Sequence, residues 1–125
     1  MSIENNIVAK AQNYVEALLT EKLSKDLTYH NYGHTKRVAK AAEEIGKKSD
    51  LKEDELEILM LAVWFHDTGF INSYENHEEE SQKIAEEFLV AENIPKEKIK
   101  KVVTSILATK QDQIPNNEIE RLFIR

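Results

Sequence analysis

His66 and Asp67 are the residues of this chain best placed to do chemistry, because they stand side by side directly after Ile58 to Phe65, eight consecutive apolar residues. An imidazole nitrogen and a carboxylate oxygen are good donors to a divalent cation. A carboxylate at the end of a buried run needs a cation, a donor network or a metal to offset the cost of leaving water. The chain has no cysteine, which excludes disulfides, thiolate nucleophiles and cysteine-ligated zinc together, so any metal must use His and carboxylate. The other histidines, His30, His34 and His77, fall in loops or at helix starts. A lone histidine in such a place most often caps a helix or fills a polar edge, but that does not account for a His–Asp pair directly after a fully apolar run.

The apolar run sets the position of the pair. A segment apolar on all sides must be surrounded by protein or lipid, and eight residues are too few to span a bilayer. Leu, Met and Ala favour helix over strand, so the spacing predicts a central buried helix, innermost from about Leu56 to Phe65. His66 and Asp67 then sit at its C-terminal end, with Gly69 expected to supply the stop. The negative end of the helix dipole faces the same point and favours a cation there.

The flanking segments read as amphipathic helices. Ile7, Ala11, Tyr14, Val15, Leu18 and Leu19 recur at helical spacing between Ile3 and Lys22, with Ser2 as a candidate cap. DLTYHNYG, residues 26–33, breaks that pattern as a loop rich in binding groups. A second helix is expected from His34 to Lys48 with Val38, Ala41, Ala42 and Ile45 buried. The short turn Ser49 to Lys52 makes it antiparallel to the central helix, which brings His34 toward the end carrying His66. After the loop FINSYEN, Asn76 and Glu79 stand at capping-box positions before a helix that buries Ile84, Ala85, Phe88 and Leu89 and reaches about Glu92. Pro95 is expected in the first turn of the next helix, whose inner face is Ile99, Val102, Val103, Ile106 and Leu107. KQDQIPN then leads to Asn116 and a last amphipathic start, EIERLFIR. Ile119, Leu122 and Phe123 share one face there, and so short a helix must dock on the domain or on a second copy of the chain.

Composition agrees with one all-α domain over residues 1–125. Charged residues make up 32%, with three Gly and two Pro, which suits helices joined by short connections. A net charge of −6 argues against broad nucleic-acid binding, and the Lys96 to Lys101 cluster reads as a solvated helix face. The N-terminus MSIENNIVAK has no apolar core long enough for a signal peptide, and no membrane segment is found, so the expected location is the cytoplasm.

YHNYGHTKRVAKAAEEI and AVWFHDTGF together resemble the two spaced motifs of the HD-domain superfamily of metal-dependent phosphohydrolases. NHEEESQKIAEEFL and ILATK look like the segments that follow in small bacterial members, so the resemblance runs from Leu27 to the C-terminus. It implies a helical bundle of about six helices and a divalent ion held by His34, His66 and Asp67. For such a ligand set the ion is Mn, Fe, Co, Ni, Zn or Mg, in overlapping order. The implied reaction is attack of an activated water on a phosphate ester or anhydride, with a nucleotide or another small phosphorylated compound as substrate.

The family's last Asp ligand is expected in the helix that begins at Glu118, and Glu118 and Glu120 come too early to match it. The domain therefore reads as cut short on its C-terminal side. His77, with Glu78 beside it, is the candidate acid–base group, although Glu78 to Glu80 also make a favourable acidic first turn. Arg37 and Lys110 are candidates to meet a phosphate, and each is equally well read as a surface charge. A non-catalytic regulatory or binding module that keeps the fold with an incomplete metal site is the alternative reading. A plain helical interaction domain is a third, and it leaves His34, His66 and Asp67 unexplained.

Overall fold

The computed structural model describes residues 6–22, 32–71 and 76–107. Among them the chain forms five α-helices, α1 Ile7–Lys22, α2 Tyr32–Lys48, α3 Glu53–Phe65, α4 His77–Ala91 and α5 Lys96–Leu107, with a 3-10 helix at Thr68–Ile71 and no strand. None of these helices is long and apolar enough to cross a membrane. The final amphipathic segment, Lys110 and the DLTYHN part of the loop lie outside the described residues.

α3 is the centre, as its composition requires. Every residue from Ile58 to Phe65 is buried, and around them pack Ile7, Ala11, Val15 and Leu19 of α1, Ile84, Ala85 and Leu89 of α4, and Ile99, Val102 and Ile106 of α5. Burying a Leu, Ile or Phe side chain stabilises by about 1.5–3 kcal/mol. At the surface between α3 and α5, Lys98 pairs with Glu57 and approaches Asp54 at 3.8 Å, and partly exposed ion pairs of this kind contribute about 0–1 kcal/mol. Packing therefore places α3, and the charges only orient its outer edge.

α2 lies against α3 on a face rotated from the expected one. Thr35 and Ala39 are buried, Val38 and Ala42 are partly buried against the core, and Ala41 is exposed. Gly46 explains the rotation, since a Cβ there would stand 2.7 Å from Leu56 Cδ1 and 3.1 Å from Leu59 Cδ2. The two helices approach through a residue with no side chain, and the smallest residues of α2 turn inward. α2 also begins two residues earlier than expected, at Tyr32, because Gly33 is tolerated in a first turn. α1 starts on Asn6, whose Oδ1 accepts the Ala9 N–H at 3.1 Å; Ser2 lies outside the described residues.

Two helix ends share one design. Asp50 after α2 and Asn93 after α4 adopt left-handed backbone, with φ of 59° and 62°. The next amides reach back to the helix, Leu51 N–H to Gly46 O at 3.4 Å and Ile94 N–H to Leu89 O at 3.1 Å. Left-handed residues closed by these bonds satisfy the last carbonyls with backbone alone. At the start of α5 the Pro95 carbonyl accepts from Lys98 and Ile99, so Pro95 stands just before the first turn. Asn76 takes the N-cap position of α4 without a side-chain cap hydrogen bond, its carbonyl accepting from Glu80 N–H at 3.1 Å.

Candidate metal and acid–base site

α3 ends differently from α2 and α4, and its end carries the candidate site. Gly69 was expected to supply the stop, yet no glycine among the described residues has the positive φ with which glycine commonly ends a helix. Side chains satisfy the terminal carbonyls instead. His66 Nδ1 lies 2.6 Å from the Val63 carbonyl, Thr68 donates its hydroxyl to the Phe65 carbonyl at 2.7 Å, and Ser81 donates from α4 to the His66 carbonyl at 2.9 Å. With those acceptors filled, the chain can leave the helix at no cost in unpaired backbone.

The first of these bonds fixes the chemistry of His66. A carbonyl only accepts, so Nδ1 carries the proton, and Nε2 is left with its lone pair in the neutral ring. Nε2 lies 3.4 Å from Asp67 Oδ1, and both side chains are largely buried, 13% and 6% exposed. Two donors each about 2.1 Å from a zinc-like ion at the tetrahedral angle stand about 3.4 Å apart. The imidazole is thus held through Nδ1 by a backbone carbonyl, as metal-ligating histidines commonly are, and its Nε2 lies beside a carboxylate. These two residues fit a divalent cation.

Among the described residues no three His, Cys, Asp or Glu side chains come together as a metal-holding group. His34, the third ligand implied by the resemblance, sits in the first turn of α2, and its side chain lies outside what the structure describes. What the structure gives is the helix that bears it. α2 packs on α3 and is joined to it by a tight turn, so its first turn runs toward the end of α3 that carries His66 and Asp67. Thr35, next to His34, is fully buried, and its hydroxyl has no hydrogen-bond partner among the described residues. Arg37 is exposed on the same helix.

A second His–acid pair is brought to the same end of the bundle by Gly69. A Cβ at Gly69 would stand 2.0 Å from the His77 carbonyl oxygen and 2.7 Å from the Ser81 amide, so the backbone two residues beyond Asp67 presses directly on the first turn of α4. Only glycine permits that approach. In that turn His77 Nε2 lies 3.4 Å from Glu78 Oε2, the side chains 21% and 15% exposed. A carboxylate beside an imidazole fixes the orientation of the ring, which an acid–base group requires.

Below the site Phe65 of the core meets the partly buried Phe88 and the exposed Tyr14. Phe65 lies 5.4 Å from Phe88, and Tyr14 lies 4.9 Å from Phe88 and 6.2 Å from Phe65, all tilted. Offset rings at such distances contribute about 0.5–1.5 kcal/mol beyond their burial. They tie α1 and α4 to the residue just before His66.

Ser81 is the residue at this end of the bundle that sequence reasoning missed. It lies on the inner face of α4 with Ile84, Ala85 and Leu89, and the apolar stripe was counted without it. The available signal was a hydroxyl on a buried stripe, which must find partners.

Among curated proteins and solved structures nothing matches the chain. A family model described as HD domain matches residues 31–121, a span that opens just before α2 and takes in His34, His66, Asp67, His77 and Ser81. With the all-α bundle and a His–Asp pair closing its central helix, the chain belongs to the HD-domain family.

Proposed function

We propose that the chain is a metal-dependent phosphohydrolase acting on a nucleotide or another small phosphorylated compound. The observation that carries this reading is the end of α3, where the Val63 carbonyl holds His66 Nδ1 and leaves Nε2 beside Asp67 Oδ1. Membership of the HD-domain family supports it.

His66, Asp67 and His34 would hold a divalent ion, which when bound supplies Lewis acidity to activate water and polarise a phosphoryl oxygen. The chain's own groups supply the rest. Val63 and Ser81 keep His66 in one orientation, so its nitrogen is pre-positioned rather than ordered on binding. His77, oriented by Glu78, is assigned the proton that the leaving oxygen needs. Arg37 and Lys110 are assigned to the substrate phosphate, where an always-charged guanidinium and an ammonium neutralise negative charge.

Elemental analysis of the purified chain, together with phosphate release from nucleotides and sugar phosphates in a panel of divalent metals, tests the proposal. We expect at least one bound ion per chain and metal-dependent release. A bound ion with no release from any substrate would favour the non-catalytic module, and a chain with no metal would end the metal reading.

A further inference from the structure

Ser81 joins two parts of the molecule that carry different halves of the proposed chemistry. Its hydroxyl accepts the Gly69 N–H at 2.8 Å and donates to the His66 carbonyl at 2.9 Å, so both its donor and its acceptor roles are used. It is fully buried. The residues it grips lie on either side of Asp67 and Thr68, and Thr68 is itself fixed to Phe65. His77 lies four residues before Ser81, on the same face of α4 one turn away. Where Ser81 sits therefore sets where His77 sits relative to His66 and Asp67.

The burial of this hydroxyl is not required by packing. Ala or Cys would fill nearly the same volume on a stripe that otherwise carries Ile84, Ala85 and Leu89. Another buried serine, Ser105, donates to Lys101 O at 2.8 Å within its own helix and to no other segment among the described residues. Among the described residues Ser81 instead spends both bonds of its hydroxyl on the segment that contains Asp67.

We propose that Ser81 is a positioning residue for the His66–Asp67 pair. It locks the backbone on both sides of Asp67 to the first turns of α4, so that the two His–acid pairs are held in one geometry. The inference rests on the metal reading above only for its consequence in affinity. The clamp itself is a property of the metal-free chain.

The test compares Ser81→Ala with Ser105→Ala in the 125-residue chain by two measurements. The first is amide hydrogen exchange in the metal-free protein. Ser81→Ala should speed exchange at Gly69 at least ~10-fold while the amides of α5 keep their protection, and Ser105→Ala should leave Gly69 unchanged. The second is titration with Zn²⁺ or Mn²⁺ alone, in which Ser81→Ala should weaken binding by ~10–100-fold, as loss of a group that orients a ligand does, and Ser105→Ala should not. If Ser81→Ala does not fold, Ser81→Cys, which keeps the volume and weakens both hydrogen bonds, is read in the same assays. Unchanged Gly69 exchange, or a metal affinity equal to that of the parent, would overturn the proposal. Should the parent bind neither ion, the metal reading fails and Gly69 exchange alone decides for or against the clamp.

Discussion

The pairs His66–Asp67 and His77–Glu78 have the same spacing, 3.4 Å from Nε2 to a carboxylate oxygen, yet they stand at opposite kinds of helix end. His66 and Asp67 follow the C-terminus of α3, where the dipole is negative, and α3 has no basic residue in its last turn. Carboxylate and dipole add there, and the site favours a cation. His77 and Glu78 open α4, where the dipole is positive and Glu78, Glu79 and Glu80 already meet it. That end is balanced by its own acids, so it does not ask for a cation and can hold an imidazole for proton transfer. The tasks proposed for two pairs alike in spacing differ with the direction of the helix beneath each.

The largest effect that would break this comparison is expected from His66→Ala. Metal content measured by elemental analysis should fall from at least one ion per chain to none, and phosphate release should vanish. Helical content by circular dichroism should stay close to that of the parent, because His66 lies beyond the apolar stripe. Metal retained at parental affinity would sink the assignment of this end to a cation.

His77→Gln tests the other pair. It should leave metal content unchanged and lower kcat by roughly 10²-fold, at the lower end of what a general acid or base contributes. Equal loss of metal and of turnover would show that the two pairs are not divided as proposed.

The sequence made half of this division legible. Eight apolar residues in a row leave no face for water, so the burial of Ile58 to Phe65 and the place of His66 at their end followed from composition alone. The inward face of α2 did not follow. Ala39, Ala41 and Ala42 offer an apolar pattern nearly the same in two orientations, and the choice was made by Thr35 and Gly46, which hydrophobic counting passes over. Gly69 was recognised as a helix stop; what it supplies is the absence of a side chain against the His77 carbonyl. Ser81 was hidden because its partners, Gly69 N–H and His66 C=O, are backbone groups. Backbone contacts between distant segments leave no trace in residue type except the need of a buried hydroxyl for partners.

A smaller effect that sharpens the comparison comes from Gly69→Ala. The added methyl would have to displace backbone of α4, and overpacking of this kind costs about 1–3 kcal/mol, occasionally more. The midpoint of denaturant unfolding should fall accordingly, and turnover should fall beyond what the lost stability explains, because the two pairs are pushed apart. A fully stable and active Gly69→Ala would mean that the two ends move independently.

The smallest effect is expected from Thr35→Val. It exchanges a buried hydroxyl that lacks a partner among the described residues for a methyl of similar shape, which is nearly neutral or stabilising by up to ~1 kcal/mol. Metal content should not change. A loss of stability above that size, read from the same unfolding curves, would mean that the hydroxyl is bonded after all.

The chain has a single tryptophan, and Trp64, buried at 4% exposure, stands two residues before His66. The protein therefore has its own optical reporter at the place where its chemistry is assigned. Emission from a ring so enclosed should lie toward the blue and shift red only when the end of α3 opens. An open-shell ion such as Mn²⁺, Co²⁺ or Ni²⁺ held at Nε2 of His66 would quench it, whereas Mg²⁺ or Zn²⁺ would leave it bright, so the light from one residue distinguishes an occupied site from a loosened one without any label.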